Sequence, residues 1–334
     1  MMMKSVVTYE QQVKIIEIDK PLIKPNHVLM KTGYSMVSPG TELSIINRSG
    51  GTQSKLGYSA AGIAVEVAGE VTDIRVGQQV ACYGAPYVNH SEYLLVPKHL
   101  IAPVPDHVSL KEASAAGLGA IAIHGLRQSG LVFGECAVVI GLGVIGQLIA
   151  RIAHAAAIKV IAVDLYEERR KTLQEVAGIT VCASFQEVEE AIGSVTGNIG
   201  ADAVLHCASG SQKELLDRSF DWIRDRGKIV IVGDMVMEFS RGQMFKKEAE
   251  VVISRAGGPG RYDAEYEREG RDYPIGFVRW TEGRNMKEYI RLLSEGRISV
   301  GSLITTQVSL PHAADIYQDY TSRPDRILGA VISY

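Results

Sequence analysis

The chain has 334 residues, a formal net charge of −3 and a hydrophobic fraction of 46%. These values fit a folded protein of about two domains and exclude wholesale disorder. The nearly balanced charge provides no electrostatic basis for binding nucleic acid or an anionic membrane surface, so we expect neither as a partner. The four cysteines are scattered without a CxxC pair, and no apolar run reaches the roughly 20 residues that span a bilayer, so we expect a cytoplasmic protein.

The first 113 residues have the pattern of a β-rich domain. Ile63, Val65 and Val67 alternate with smaller or polar residues, as in a half-buried strand, and turn residues recur, as at Ser38-Pro39-Gly40. The stretch Pro103 to Asp106 ends this pattern. We therefore predict the first part of a β-rich domain over residues 1–113.

A glycine-rich turn follows the apolar run that ends at Ile140 and precedes a segment of helical period. In this turn, Gly141 would allow the sharp bend, Gly143 would let the backbone approach a pyrophosphate, and Gly146 would let the helix pack closely on the strand. The phosphates would then lie at the helix N-terminus, beside the first helical residues, Val144 and Ile145, where free N–H groups attract anions. The pattern predicts a dinucleotide-binding site.

The second apolar run of this unit ends in Asp164, about 20 positions after the glycines, as the fingerprint requires. A carboxylate there can accept hydrogen bonds from both adenosine ribose hydroxyls and would repel a 2′-phosphate. Arg169 and Arg170 could in principle bind that phosphate, but we interpret them as solvated charges on the following helix. The sequence therefore favours NAD over NADP as the cofactor.

From residue 114 the pattern changes to alternating strands and helices. Strand runs such as Ala203 to Leu205 and Ile229 to Val232 alternate with helical periods, which is typical of a parallel, doubly wound sheet. Ala208 and Gly233 follow two of these strands, and their small size suits close approach of a cofactor, although an ordinary loop role is equally open. We predict a Rossmann dinucleotide-binding domain over residues 114–280 and a return to the first domain over residues 281–334.

This order of segments resembles the medium-chain dehydrogenase/reductase superfamily. The residues that carry the resemblance are the Gly57 motif within residues 55–62, Val104-Pro105-Asp106, the glycine fingerprint and Gly227-Lys228-Ile229-Val230. The resemblance covers essentially the whole chain. It implies an α/β protein in which a GroES-like, β-rich catalytic domain precedes and follows a doubly wound, parallel-sheet Rossmann domain.

The chain departs from the zinc-dependent members of that superfamily. Those members hold zinc with a cysteine, the histidine of a Gly-His-Glu motif, and a further cysteine or acidic residue. The corresponding positions are Pro39, Tyr58 and approximately Leu118, none of which suits a catalytic zinc site. The four-cysteine structural zinc loop is absent as well, so we expect no metal.

A narrower similarity lies in residues 87–93, residues 118–125 and residues 255–286. These stretches resemble the medium-chain half of bi-domain oxidoreductases associated with sugar-polymer gene clusters, in which an inositol-dehydrogenase-type half follows. The similarity implies a sugar-related substrate by analogy.

Without zinc, a side chain must act as general acid or base. By the resemblance, Thr41 aligns with the hydroxyl residue that passes the proton in zinc-dependent members, and Tyr58 replaces a metal ligand in the same pocket. Glu42 follows directly, and His90 is the candidate whose ordinary pKa lies near neutrality. Each has a structural alternative: His90 as a satisfied loop histidine, Tyr58 as a core residue and Glu42 as a salt-bridge partner.

A second group of candidates follows the last predicted Rossmann strand. Guanidinium groups donate in a fork and aromatic rings stack on sugar faces, so this group suits a hydroxyl-rich or anionic ligand. A charged surface loop or a dimer contact is an equal alternative. The predicted substrate-binding residues are Arg255, Arg261, Tyr262, Tyr273, Arg279 and Trp280.

We therefore predict a zinc-independent, NAD-dependent oxidoreductase of a small-molecule substrate, a secondary hydroxyl or ketone of a sugar or polyol derivative. One alternative is a quinone or enone reductase. Another is a non-catalytic, NAD(H)-binding regulatory or scaffold subunit. The resemblance also implies a homodimer or a higher homo-oligomer.

Overall fold

The structure, a computed structural model, describes residues 1–210 and 213–334. The chain divides into two compact units. The first consists of Met1–Ala120 and Ala256–Tyr334, and the second is Ile121–Arg255. The first unit is therefore discontinuous in sequence, as the resemblance implies.

The boundaries between the units differ from the predicted ones at 113/114 and 280/281. Residues 114–120 stay with the first unit because the Ser59 hydroxyl donates to the Ser114 carbonyl and accepts from the Gly117 N–H, at 2.6 and 2.8 Å. Residues 256–280 do so because the Gly257 N–H donates to the Tyr83 hydroxyl at 3.0 Å. The return to the first unit thus begins directly after the last strand of the second.

The first segment of the chain is made mainly of strands. They are β1 Met2–Tyr9, β2 Gln12–Asp19, β3 His27–Met36, β4 Ser54–Lys55, β5 Ser59–Val67, β6 Gln79–Tyr83, β7 Tyr93–Pro97 and β8 Ile101–Pro103. Helices α1 (Pro39–Arg48) and α2 (Leu110–Ala113) interrupt and follow them. Val28, Leu29 and Met30 in β3 are all fully buried, which makes this strand central to the unit.

The second unit alternates strands and helices. Its elements are α3 Ala116–Ser129, β9 Cys136–Ile140, α4 Val144–Ala155, β10 Lys159–Val163, α5 Glu167–Gln174, β11 Thr180–Cys182, α6 Phe185–Thr196, β12 Ala201–His206, α7 Lys213–Trp222, β13 Ile223–Ile231, α8 Arg241–Lys247 and β14 Glu250–Ile253. Helix α3 begins before the boundary between the units.

The strands of the second unit form one parallel sheet in the order β11-β10-β9-β12-β13-β14. This order is that of a doubly wound dinucleotide-binding sheet. Because β10 and β12 lie on opposite sides of β9, the loop after β9 opens at the point where the strand order reverses. Ligands bind at such a point in this architecture. The predicted fold class is confirmed.

The return segment completes the first unit. It contains α9 Ala264–Glu267, α10 Glu282–Ser294, β15 Ile304–Ser309, α11 Ala313–Ser322 and β16 Gly329–Ser333. Strand β16 pairs antiparallel with β3, so the sheet runs β15-β16-β3-β5-β6-β8, with β7 also paired to β3. Apolar residues of both chain segments, including Val37, Ile46, Ile316 and Ile332, share one buried cluster.

Among the described residues, no helix combines the length and the apolar character that crossing a membrane requires.

Candidate cofactor and substrate sites

The turn after β9 depends on two glycines. Gly141 has φ +87°, in the left-handed region, and a Cβ there would lie 2.8 Å from the Ala208 backbone nitrogen. A Cβ on Gly146 would lie 1.8 Å from the Gly141 carbonyl oxygen. Helix α4 therefore packs directly on the turn, in the arrangement that the fingerprint predicts for these two positions.

Gly143 is different, because a Cβ there would meet no atom of the described protein within 4 Å. It is the N-cap of α4 and provides no side chain to bond the N–H groups of the first turn, at Val144 and Ile145. Such N–H groups have no partner inside a helix. Protein packing thus does not require glycine at 143, whereas close approach of a phosphate does, so the site fits a dinucleotide.

Asp164 follows the last residue of β10 and is 8% exposed. Its Oδ2 accepts the Leu142 N–H at 2.6 Å, and its Oδ1 accepts the Tyr166 N–H at 2.8 Å. Each carboxylate oxygen has a second lone pair, so acceptor capacity remains for hydroxyls of a ribose. The carboxylate is thereby held beside the glycine turn.

The two arginines near this carboxylate are differently engaged. Arg169 lies 3.6 Å from Asp164 Oδ2 and packs over the Tyr166 ring at 4.6 Å. Arg170 donates to the backbone carbonyls of Asp164 and Leu165, both at 2.8 Å. Arg170 therefore braces the loop after β10 instead of acting as a solvated charge.

Ala208 and Gly233 lie against each other beyond the ends of β12 and β13. A Cβ on Gly233 would lie 2.2 Å from the Ala208 carbonyl oxygen. Contact between these two backbones already requires a glycine at 233, so its presence does not by itself indicate a ligand. The same Ala208 backbone also lies beside Gly141, at the carboxyl edge of the sheet.

In the first unit, Glu42 is the centre of a buried hydrogen-bond network. Its Oε1 accepts the Ser38 N–H at 2.7 Å. Its Oε2 accepts the Tyr317 hydroxyl at 2.5 Å and is 2.9 Å from His90 Nε2. Glu42 and His90 are both 0% exposed.

The network continues on the other side of His90. Its Nδ1 is hydrogen-bonded to Ser35 Oγ at 2.7 Å, and Ser35 Oγ is 2.8 Å from the Tyr334 hydroxyl. A Cβ on Gly57, which has φ +92°, would lie 2.7 Å from the imidazole. Both ring nitrogens of His90 are therefore committed to buried partners, and His90 and Glu42 support the fold in this structure.

Tyr58 and Thr41 are the more accessible of the predicted catalytic residues. Tyr58 is partly buried, and its hydroxyl donates to Ser38 Oγ at 2.7 Å. Burial raises the pKa of Tyr58 to about 12; the nearby Glu42 and Tyr262 add to the rise, and hydrogen bonds with Ser38 and Thr41 oppose it. At neutral pH the phenol is thus a hydrogen-bond donor.

The residues at the superfamily's zinc-ligand positions do not form a metal site. Pro39 is the first residue of α1, Leu118 is 1% exposed, and the Tyr58 hydroxyl is hydrogen-bonded to Ser38. No group of three or more His, Cys, Asp or Glu residues that could hold a metal ion occurs in the part of the chain that the structure describes. A catalytic zinc does not fit these side chains.

Arg261 is 8% exposed and is bound within the protein. It donates to Glu267 at 2.5 Å and to the Ala85 carbonyl at 2.7 Å. The prediction that Arg261 binds substrate is therefore not supported by its contacts: it is a buried ion-pair partner. Its neighbour Tyr262 is 66% exposed and lies 4.1 Å from the guanidinium.

The other predicted substrate residues are spread over the surfaces of both units. The Tyr273 hydroxyl donates to Asp263, and its ring packs on Tyr266 with centroids 5.6 Å apart. The exposed Arg279 covers the Trp280 ring at 3.9 Å. Arg255 is exposed and belongs to the second unit. In the first unit, Tyr262 is the member of the group that lies near Tyr58.

Sequence reasoning missed several members of these networks. Ser38 carried a local signal, because a serine before proline at the start of a helix is a capping pattern. Tyr317 and Tyr334 carried none, since they lie 275 and 299 positions from their partners. Glu267 and Glu282 carried no signal that distinguishes them from surface charges.

A comparison with known protein families matches part of the chain. The family model described as "Zinc-binding dehydrogenase" matches residues 144–268, a range that contains none of positions 39, 58 and 118. D-guloside 3-dehydrogenase of Shigella flexneri is 26% identical over 277 residues, covering 80% of this chain and 74% of that protein. Sorbitol dehydrogenase 1 of Saccharomyces cerevisiae is 24% identical over 300 residues, covering 79% and 77%.

Solved structures match the chain over its full length. Galactitol-1-phosphate dehydrogenase from Escherichia coli has a TM-score of 0.80 at 19% identity, covering 99% of this chain and 100% of that one. A dehydrogenase from Sinorhizobium meliloti 1021 bound to NADP has a TM-score of 0.79 at 18% identity, covering 100% of both. An alcohol dehydrogenase from Escherichia coli CFT073 complexed with NADH has a TM-score of 0.81 at 18% identity, covering 100% and 99%.

The fold, the fingerprint and these relatives together define an oxidoreductase. The family match and the named relatives support the resemblance to the medium-chain dehydrogenase/reductase superfamily that the motifs of the chain indicate.

The two glycines of the fingerprint helix should respond differently to alanine. Gly146→Ala places a Cβ against the Gly141 carbonyl and should destabilise the protein by about 1–3 kcal/mol. Gly143→Ala meets open space and should leave thermal stability nearly unchanged while weakening NADH binding. Thermal unfolding and a fluorescence titration with NADH measure the two effects. Equal loss of stability in both variants would contradict this assignment.

The buried network should make His90 a stability residue. His90→Ala removes one buried hydrogen-bond partner from each of Glu42 and Ser35 and should lower the free energy of unfolding by about 1–3 kcal/mol. Tyr334→Phe removes a single hydroxyl from the same network and should cost less. Chemical denaturation of both variants gives the comparison, and a fully stable but inactive His90→Ala protein would instead indicate a direct catalytic role.

Proposed function

We propose that the chain is a zinc-independent, NAD-dependent oxidoreductase that transfers hydride between nicotinamide and a secondary hydroxyl or ketone of a sugar or polyol derivative. The observation that carries the proposal is the open position at Gly143 beside the helix N-terminus, together with a carboxylate at Asp164. The substrate class is supported by relatives that include a D-guloside 3-dehydrogenase and a sorbitol dehydrogenase.

The preference for NAD follows from charge. The Asp164 carboxylate, held by the Leu142 and Tyr166 N–H groups, would face the adenosine ribose and repel a 2′-phosphate. Of the two arginines nearby, Arg170 already donates to backbone carbonyls, and Arg169 lies against Asp164 and Tyr166. The structural relatives include complexes with NADP and with NADH, so this charge argument carries the choice.

The proposal of a metal-free mechanism rests on three side chains. Pro39 and Leu118 offer no ligand atom, and the hydroxyl of Tyr58 is hydrogen-bonded to Ser38. Polarisation of a substrate oxygen must then come from hydrogen-bond donors of the protein. The accessible donors beside one another in the first unit are the hydroxyls of Tyr58 and Thr41.

Tyr58 is the proposed proton donor. A bound nicotinamide supplies or accepts the hydride, and the protein must handle the proton on the substrate oxygen. With its pKa raised to about 12 by burial, the phenol of Tyr58 keeps its proton at neutral pH and can donate a hydrogen bond to a ketone oxygen. Ser38 orients the phenol, and Glu42 holds the Ser38 backbone in place.

Removing the Asp164 charge should change cofactor preference. Asp164→Asn should lower the ratio of NADH affinity to NADPH affinity about tenfold, since hydrogen bonds to a charged group are worth about 1.5–3 kcal/mol. Asp202→Asn is the matched control, because Asp202 also accepts a backbone N–H, from Cys136 at 2.8 Å, but at the start of a strand. Tighter binding of NADPH than NADH by the wild-type protein would refute the assignment.

The proposed activity is tested by measuring NAD reduction with sugars, polyols and sugar derivatives, beside NADH oxidation with quinones. Tyr58→Phe should reduce kcat/KM for the sugar or polyol substrate by at least about 100-fold and leave NADH binding intact. Tyr93→Phe, which removes a hydroxyl from β7 in the same unit, should have little effect.

Three results would redirect the proposal. Turnover of quinones alone would favour a quinone or enone reductase. Tight NADH binding without any turnover would favour a regulatory or scaffold subunit. Stoichiometric zinc in protein purified without added metal, with activity lost on chelation, would overturn the metal-free mechanism.

A further inference from the structure

A second buried carboxyl group in the first unit has no role in the proposed mechanism. Glu282, the first residue of α10, is 0% exposed. Neither of its carboxylate oxygens receives a hydrogen bond from any donor in the described parts of the chain. An ionised carboxylate is very unfavourable in such surroundings.

The neighbour of this group is a second carboxyl group, Glu267, one of whose oxygens is paired with a cation. Its Oε1 accepts the Arg261 guanidinium at 2.5 Å and the Tyr262 backbone N–H at 2.9 Å. Glu267 is 5% exposed and Arg261 is 8% exposed, so the ion pair is shielded from water. A single cation, Arg261, therefore interacts with the two carboxyl groups of Glu267 and Glu282.

Among the residues that the structure describes, the remaining groups around Glu282 supply no second cation. Tyr83, Tyr266 and Arg261 are the titratable groups that interact with it besides Glu267. His99 approaches the next residue, Gly283, through its backbone carbonyl, and its ring packs on Tyr266. Burial raises the pKa of Glu282 to about 8, and the charge of Glu267 raises it while Arg261 opposes the shift.

We infer that Glu282 remains protonated in the folded protein and donates a hydrogen bond to Glu267, and that this shared proton positions Arg261 and Tyr262. Two carboxyl groups this close cannot both be ionised at low cost, whereas a single shared proton satisfies both. Glu282 is thus a positioning residue that acts through Glu267.

This arrangement holds Tyr262 with its side chain exposed. Its φ is +68°, which is unfavourable for tyrosine, and its N–H is held by Glu267. The ring is stacked on Arg261 and exposed, and it lies close enough to Tyr58 to affect that phenol's pKa. Loss of the shared proton would leave two carboxylates that repel each other and share the single Arg261 guanidinium. The contacts that hold Tyr262 would then weaken.

The sign of the pH dependence follows from the two protonation states. Glu282 has an ordinary pKa of 4.5 when unfolded and about 8 when folded. Between these values the folded protein holds a proton that the unfolded chain has lost, so stability falls as pH rises through this window and the loss is complete above it. Glu282→Gln mimics the protonated form and should remove this decline.

The first experiment compares thermal unfolding of wild type and Glu282→Gln from pH 5 to pH 9. The melting temperature of wild type should fall relative to the variant by roughly 4 °C or more across this range. Glu295→Gln, an exposed residue at the other end of α10, should follow wild type. A constant difference between wild type and Glu282→Gln at every pH would overturn the inference.

Infrared spectroscopy gives a direct second measurement. Wild-type protein at pH 6 to 7 should show the C=O stretch of a protonated carboxyl, and Glu282→Gln should lack it. Absence of that band in wild type would overturn the inference even if the variant folded poorly.

The expected effect of Glu282 ionisation on substrate binding rests on the proposed function. Above about pH 8, KM of wild type for the sugar or polyol should rise several-fold with little change in kcat, and KM of Glu282→Gln should not. An unchanged wild-type KM would contradict the positioning of Tyr262. Failure to find any sugar or polyol turnover counts against the proposed function, and the unfolding and infrared measurements then still decide the state of Glu282.

Discussion

The buried carboxylate of Glu42 joins the two distant segments that form the first unit. A carboxylate removed from water is stable only when its oxygens receive hydrogen bonds. Here the donors come from the start of α1, from the loop before β7 and from α11 in the return segment. The same network reaches β16 through Ser35 and Tyr334. The two segments of the first unit are therefore joined through one fully hydrogen-bonded carboxyl group, that of Glu42.

This network also explains how the protein orients Tyr58. The Ser38 hydroxyl oxygen accepts a hydrogen bond from the Tyr58 phenol, and the Ser38 backbone N–H donates one to Glu42. By the resemblance, zinc-dependent members of the superfamily carry a metal ligand at the position of Tyr58. In this chain that position holds a phenol, whose orientation depends on Ser38 and, through Ser38, on Glu42.

Glu282 shows what happens when a buried carboxyl group lacks such donors. Glu42 is surrounded by hydrogen-bond donors, whereas neither carboxyl oxygen of Glu282 has a donor in the described parts of the chain, and its carboxyl neighbour is Glu267. Glu282 is therefore the group expected to hold a proton. The difference arises entirely from the neighbours, since both groups are fully buried.

Local patterns were enough to predict the fold class, the glycine turn and the carboxylate after the second strand. Gly141, Gly146 and Asp164 interact with groups close by in a strand–turn–helix–strand unit, so their spacing along the chain reflects their geometry. The roles of Glu42, His90 and Arg261 were different. Their partners lie up to 275 positions away, and the pattern of any one segment contains no information about such contacts.

The amino-acid sequence thus carries the architecture and the cofactor turn of this dehydrogenase, because hydrophobic period and glycine spacing act over a few residues. Which polar residues are buried, which remain accessible and where the two units divide emerge only when strands from the two ends of the chain pair with each other. The structure buries Glu42, His90 and Arg261 against partners within the protein, and it leaves Thr41 and Tyr262 exposed and Tyr58 partly exposed.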